Sequence, residues 1–178
     1  MRARHLALVG LMGAGKTTVG EICAARLGRR FVDSDDLVEA AAGMTVAEVF
    51  AAEGEAGFRA RERVALADAS ASPEALVLAT GGGAVLDGDN RRVLRDAGLV
   101  VWLRAPPTVL AARVAGQDAR PLLSADPVVT LARLDVVRAG AYEAAAHLVM
   151  DTEGHTVDEV ADAVLEAYRT SGGESCTG

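Results

Sequence analysis

Lysine is all but missing from this chain. Lysine and arginine together number 18, and only Lys16 is lysine. Aromatic residues are scarce at 3%, so a core must be built from Ala, Leu and Val, which a hydrophobic content of 51% supplies. Cysteine occurs twice, as Cys23 and Cys176, which excludes a disulfide framework and fits a reducing cytosol. No Cys/His cluster has metal-ligand spacing, which excludes structural zinc. No uncharged apolar run is long enough to span a bilayer, and Met1-Arg-Ala-Arg-His5 leads straight into a strand. Neither a signal peptide nor a membrane segment is expected, and the expected location is cytoplasmic. Positive charge is also in deficit, with a net charge of −7. That argues against a nucleic-acid or anionic-membrane surface. An anionic chain that binds anions must concentrate its arginines locally. A length of 178 residues predicts one domain.

What is present centres on Gly10-Leu-Met-Gly-Ala-Gly-Lys-Thr17, which reads G-x-x-x-x-G-K-[ST]. An apolar run, Leu6–Val9, precedes it, and an amphipathic run carrying Val19, Ile22, Cys23 and Leu27 follows. This is the strand–loop–helix setting of a phosphate-binding loop. Glycines let backbone N–H groups turn inward around a polyphosphate, and the helix adds its positive N-terminal end. Lys16 is expected to reach the outer phosphates, and the Thr17 hydroxyl to ligate Mg²⁺. The composition has replaced nearly every other cation by arginine, yet keeps lysine here. A slim ammonium threads a phosphate cradle where a planar guanidinium fits poorly.

Strands are expected near Leu6–Val9, Arg30–Val32, Ala75–Ala79, Leu99–Leu103 and Leu148–Met150. Helices are expected from the loop to Leu27, from a cap at Ser34 or Asp35 through about Ala42, from Thr45 with Glu48 in a capping box, and from Glu55 to Ala69. Others cover Asn90–Ala97, a run to about Val114 with Pro106 and Pro107 in its first turn, Val128–Ala145 and Val157–Tyr168. Residues 116–127 read as a polar lid, and 171–178 as a disordered tail. Alternating strands and helices, with strands apolar on both faces, predict an α/β fold with a parallel sheet covered on two sides. Ligands of such sheets sit at the carboxyl ends of the strands. The phosphate loop, Asp33-Ser-Asp35 and Gly81-Gly-Gly83 all fall there.

Asp33 and Asp35, two apart in an extended segment, would project to one side, one toward a metal and one toward a substrate hydroxyl. Helix capping is the other reading of these carboxylates. Any one of Arg59, Arg61 and Arg63 on its helix reads first as a solvated charge, and so does Arg138. Three glycines after a buried strand permit close approach of a ligand to backbone N–H groups; a flexible turn is the alternative. Arg120 in the lid is either a loop charge or a cation that covers the phosphates. His5 and His147 flank strands and read as structural. His155, in a loop after a strand, is placed to touch a nucleotide base.

Taken together, Gly10–Thr17, Asp33-Ser-Asp35, Glu55-x-x-Phe-Arg59-x-x-Glu62, Gly81–Val85, Arg120-Pro-Leu-Leu123, Arg138-x-x-x-Tyr142 and Asp151-Thr152 resemble shikimate kinase from about Leu6 to Tyr168. The resemblance implies a nucleoside-monophosphate-kinase-like P-loop fold, three layers deep, with a five-stranded parallel sheet in the order 2-3-1-4-5. It implies one kinase domain over residues 1–170, with substrate-binding helices at about 34–69. It also implies phosphorylation of the 3-hydroxyl of shikimate by ATP and Mg²⁺, on the way to chorismate and the aromatic amino acids. Asp35 would hold the substrate hydroxyls and serve as candidate base. Arg59 and Arg138 would grip the carboxylate, and Gly81 and Gly82 would contact substrate through the backbone. Gly13, Ala14, Gly15, Lys16, Thr17 and Thr18 would hold the ATP phosphates, with Arg120 closing from the lid. Thr17 would ligate Mg²⁺, and Asp33 would hold a metal-bound water.

Two departures from the family pattern stand out. Gly140-Ala141 replaces a Pro-Leu between the arginine and the tyrosine, which predicts a looser helix. His155 stands where some relatives place an arginine against adenine. Strand 3 also ends without the acidic residue usual in P-loop ATPases, leaving Asp33 as the substitute. The rivals are a gluconate kinase of the same architecture, a nucleotide-binding switch without catalysis, and a domain working beside another pathway enzyme. A guanine-reading Asn/Thr-Lys-x-Asp motif is impossible with one lysine. The expected partner is the small-molecule substrate, bound by a monomer.

Overall fold

The computed structural model describes residues 4–115 and 126–172. Arg120 and most of the expected lid lie outside the described residues, as do residues 173–178 of the expected tail. Five strands, β1 (His5–Val9), β2 (Phe31–Asp33), β3 (Val77–Ala79), β4 (Gly98–Arg104) and β5 (Leu148–Asp151), form one parallel sheet in the order β2-β3-β1-β4-β5. The predicted order is therefore observed. β1 lies centrally, pairing Leu6 with Val77 on one side and with Leu99 on the other.

The burial of each strand follows from its place. β1 and β3 are buried at every position, and β4 at all but its last. These strands need helices on both faces, because their apolar side chains point both ways. β5, at an edge, alternates between half-buried and exposed, so it is not apolar-covered on both faces as expected. The helices are α1 (Lys16–Leu27), α2 (Ser34–Ala42), α3 (Val46–Ser70), α4 (Gly88–Ala97), α5 (Pro107–Val114), α6 (Pro127–Ala145) and α7 (Val157–Thr170). α1 packs on α7, while α4 and α5 pack on α6, so helical layers enclose the sheet. Among the described residues no helix is long and apolar enough to cross a membrane.

Local chemistry sets the helix ends. Thr45 and Glu48 cap α3 reciprocally, as predicted, and Gly28 closes α1 with φ 62°. α3 breaks at Gly54, with φ 71° and ψ −176°, which separates the two helices expected from Thr45 and from Glu55. α2 starts one residue earlier than expected. Its cap is Asp33, whose carboxylate accepts the Asp35 N–H, rather than Ser34 or Asp35. α2 and α3 share a small core of their own, Val38, Val49 and Phe58, apart from the main one. They project as a separate wall over the carboxyl ends of β2 and β3.

Candidate active site

The loop between β1 and α1 is built for close approach. Gly13 and Gly15 have φ of 80° and 90°, a region that side chains strain to adopt. A Cβ on Gly13 would lie 2.8 Å from the Leu110 carbonyl oxygen. No side chain caps the N-terminus of α1, so its first N–H groups face the loop without a partner from a capping residue. Lys16 Nζ donates to the Leu11 carbonyl at 2.9 Å, which bends its chain back over the loop. Beside this loop lies a cavity of about 460 Å³, lined by residues 12–19 and by Arg113, Thr152 and His155.

A second cavity, of about 390 Å³, opens toward α2 and α3. It is lined by Asp33, Asp35, Arg59, Glu62, Gly81–Gly83 and Arg138, among others. Met12, Lys16 and Thr17 line both cavities. The two spaces therefore meet at the first turn of α1. A larger groove of about 850 Å³ between α2 and α3 has none of these residues and no part in the junction.

The two carboxylates after β2 reach the site differently from expectation. Asp33 ends the strand, but Asp35 is already in the first turn of α2, so extended-chain alternation does not place them. Asp33 turns toward α1, where its Oδ2 accepts the Thr17 hydroxyl at 3.3 Å. Asp35 turns toward the glycine triplet: its Oδ1 is 3.0 Å from where a Gly81 Cβ would sit. Burial pushes the Asp35 carboxyl above its ordinary value and Asp33 pushes the same way, while Lys16 and Arg59 pull it down.

Of the three neighbouring arginines on α3, two are surface charges. Arg61 pairs with Glu53 and Arg63 with Asp87. Arg59 alone turns inward, held by Glu62 at 2.6 Å, and a Cβ on Gly83 would lie 2.4 Å from its Nη2. Arg138 arrives from α6, and its Nη1 lies 3.2 Å from a Gly82 Cβ position. Tyr142, one turn on, donates its hydroxyl to the Gly82 carbonyl at 2.6 Å and stacks on Trp102. Burial pushes that phenol up to about 12, so it stays a donor at all physiological pH. The backbone of the triplet is thus fixed rather than flexible. Gly140 has open space around it, and α6 runs unbroken through it.

The oxygen pair Thr17 Oγ1 and Asp33 Oδ2 suits a hard divalent cation. Mg²⁺ takes few protein ligands and completes its shell with water and phosphate. Among the described residues no group of three or more His, Cys, Asp or Glu offers a rival metal site. His155 lines the first cavity and is exposed. His5 and His147 are structural as expected: their Nδ1 atoms accept the N–H groups of Leu76 and Val100. Cys23 is buried, its thiol pushed up to about 11, and inert.

Three contributors escape the sequence reading. Arg113 in the last turn of α5 donates to Thr152 Oγ1 at 2.9 Å and to the Thr152 carbonyl at 2.8 Å, beside the Gly13 carbonyl. Ser34, fully buried, accepts the Gly81 N–H at 2.8 Å and so ties the end of β2 to the end of β3. Glu62 belongs to a recognised motif, yet nothing local reveals that it is buried outright. The only local hint for Arg113 is its place after Pro106-Pro107, where a short helix must point one way.

A family profile described as shikimate kinase matches residues 12–169. The shikimate kinase of Symbiobacterium thermophilum is 49% identical over 171 residues, covering 94% of this chain and 98% of that protein. A solved shikimate kinase from Acinetobacter baumannii, in complex with shikimate, superposes with a TM-score of 0.88 at 40% identity over 94% of each chain. A gluconokinase from Sinorhizobium meliloti 1021 reaches only 0.67 at 20% identity, which shows the shared fold alone. By profile, identity and coverage together, the chain belongs to the shikimate kinase family.

Proposed function

We propose that this chain, as one domain over about residues 1–170, transfers the terminal phosphoryl group of ATP to the 3-hydroxyl of shikimate. The product is shikimate 3-phosphate, on the route to chorismate and the aromatic amino acids. One observation carries the reading: a phosphate cradle and a carboxylate-and-guanidinium cavity share Lys16 and Thr17 at their junction. Only a group transferred between two ligands needs such a meeting point. The working unit proposed is a monomer.

The roles follow from chemistry. A cyclohexene acid with several hydroxyls calls for a cationic clamp at one end and acceptors at the other. Arg59 and Arg138 form the clamp, and Asp35 accepts from the hydroxyls. The backbone at Gly81 and Gly82 supplies further polar contacts. Residues Gly13 to Thr18 hold the phosphates, with Lys16 at the outer ones. Arg113 and His155 border the nucleotide's far end. Mg²⁺, held by Thr17 directly and by Asp33 through water, would neutralise charge on the phosphates. Phosphoryl transfer asks mainly for positioning and charge stabilisation. Asp35 therefore orients the hydroxyl and takes its proton late, helped by a raised affinity for protons.

A coupled ADP-release assay with shikimate, gluconate and nucleoside monophosphates side by side tests the substrate. Turnover is expected with shikimate alone; faster turnover with either rival overturns the reading. Asp35→Asn is expected to lower kcat by roughly 10²–10⁴ while ATP still binds. Near-normal turnover would remove Asp35 from that role.

A further inference from the structure

Glu62 is the only acidic side chain buried outright among the described residues. Its Oε2 accepts Arg59 Nη1 at 2.6 Å, but its Oε1 is buried with no hydrogen-bond partner among them. That oxygen is aimed at Gly81. The position of a Gly81 Cβ is 2.8 Å from Glu62 Oε1 and 3.0 Å from Asp35 Oδ1. Two carboxyl groups thus converge over one glycine that has no side chain to separate them. An anionic oxygen without a donor in such a place is costly, and a neutral carboxyl there is much less so.

Arg59 is the group that favours the ionised form of Glu62. Burial pushes the Glu62 carboxyl up, Arg59 on the same helix pulls it down, and Asp35 from α2 and Asp87 ahead of α4 push it up again. Asp87 is itself paired with Arg63, which blunts its push. Lys16 from α1 and Arg138 from α6 line the same cavity, which holds three cations against five carboxylates: Asp33, Asp35, Asp36, Glu39 and Glu62. A substrate carboxylate entering this cavity adds a further negative charge and takes up donors of Arg59. Glu62 then loses the support that offsets its burial.

We infer that binding of the carboxylate substrate is coupled to uptake of one proton by Glu62. This rests on the proposed seating of the substrate carboxylate at Arg59. Glu62 is then a positioning residue: ionised, it holds the Arg59 guanidinium; protonated, it yields the guanidinium to the substrate. The sign follows from linkage. Glu62 has the higher proton affinity in the complex, so affinity for the acid falls as pH rises between its free and bound titration points. The dissociation constant rises by up to about tenfold per pH unit in that window.

Titration calorimetry of shikimate into the full chain, in two buffers of different ionisation enthalpy near neutral pH, counts the protons. Uptake approaching one proton is expected for the wild type, and none for Glu62→Gln, which keeps an oxygen acceptor for Arg59. Intact binding with no uptake overturns the inference and leaves the functional reading standing. Uptake that persists in Glu62→Gln also overturns it. Absence of shikimate binding overturns the functional reading and this inference with it. Should Glu62→Gln fail to fold, difference infrared spectroscopy of the wild type decides. A protonated-carboxyl carbonyl band that shifts on ¹³C-labelling of glutamate must appear on adding shikimate, and its absence overturns the inference.

Discussion

Replacing Arg59 with alanine strands a buried charge, and the geometry sets the size of the effect. Glu62 has no exposed surface, and among the described residues its side-chain donor is Arg59 Nη1 at 2.6 Å. Removing one member of a buried ion pair costs about 3–5 kcal/mol while the survivor stays ionised. Protonation offers Glu62 an escape that limits the loss to about 1.4 kcal/mol per unit of pKa rise. The low end, about 3 kcal/mol, is therefore expected, which for a domain of this length lowers Tm by roughly 6–12 °C. Thermal melts followed by circular dichroism at ~pH 7.5 and ~pH 5 separate the charge effect from lost packing. The stranded carboxyl has a folded-state pKa above its unfolded value. Its penalty is full above the folded value and vanishes as pH falls to the unfolded one. The Tm deficit should therefore shrink at the lower pH. Arg59→Ala/Glu62→Gln should regain most of the stability near neutral pH, yet not the shikimate KM, because the clamp is still missing. Equal melting temperatures for the single and double variants near neutral pH would refute the reasoning.

Four shorter tests probe other parts of the site. Gly83→Ala places a Cβ 2.4 Å from Arg59 Nη2 at an ordinary backbone conformation, φ −100°. Losing one charge-assisted contact should raise the shikimate KM by roughly 10–100-fold with the ATP KM unchanged; an unchanged shikimate KM would place Arg59 outside the clamp. Arg113→Ala should raise the ATP KM by about tenfold and leave that for shikimate alone, since it removes one charged hydrogen-bonding group at the nucleotide cavity; steady-state kinetics with each substrate varied will tell. Lys16→Arg should abolish turnover while the melting curve stays put, and retained activity ends the argument from the lone lysine. Burial lowers the affinity of His5 for protons below its ordinary value of 6.5, and that of His147 likewise. Their contribution is present above 6.5 and lost as pH falls through the lowered folded values, so His5→Gln should flatten the fall in Tm on acidification; an unaltered pH profile would deny His5 its part.

Much of this architecture is legible because the physics is local. A phosphate loop needs its glycines and its lysine adjacent, so Gly10–Thr17 declares itself. Buried parallel strands need unbroken apolar runs, so β1, β3 and β4 do too. Thr45 and Glu48 close a helix end within four residues. Other features depend on partners far along the chain. Arg113 meets the Gly13 carbonyl 100 residues away, and Ser34 meets Gly81 across 47. No pattern within either neighbourhood encodes those meetings; only the seating of α5 against the phosphate loop and the pairing of β2 with β3 does. Arg59 and Arg63 illustrate the limit well. They sit one turn apart on α3, yet one faces the cavity and the other Asp87. Helical position alone does not separate them. What does is the glycine triplet, whose missing side chains leave room for one guanidinium.

Helix ends supply a sharper signal than any single motif. Of the seven helices described, five have their first N–H groups met by a side chain: Asp33, Thr45, Asp87, Asp126 and Thr156. α5 opens on Pro106-Pro107, and Pro107 has no N–H to satisfy. Among these α-helices, α1 alone follows a glycine and has no side-chain cap. A chain that caps its helices so consistently has no reason to leave this one open at the centre of its sheet, unless an external anion completes it. Substituting Gly15 by a capping residue would put a side-chain oxygen over the first turn of α1 and exclude the phosphate. The uncapped end, the sole lysine beside it and the carboxylate-lined cavity across the loop are therefore three aspects of one requirement. The anion must be held firmly enough to be aligned, and from one side only, so that its outer phosphoryl group remains open to the hydroxyl arriving from α2 and α3.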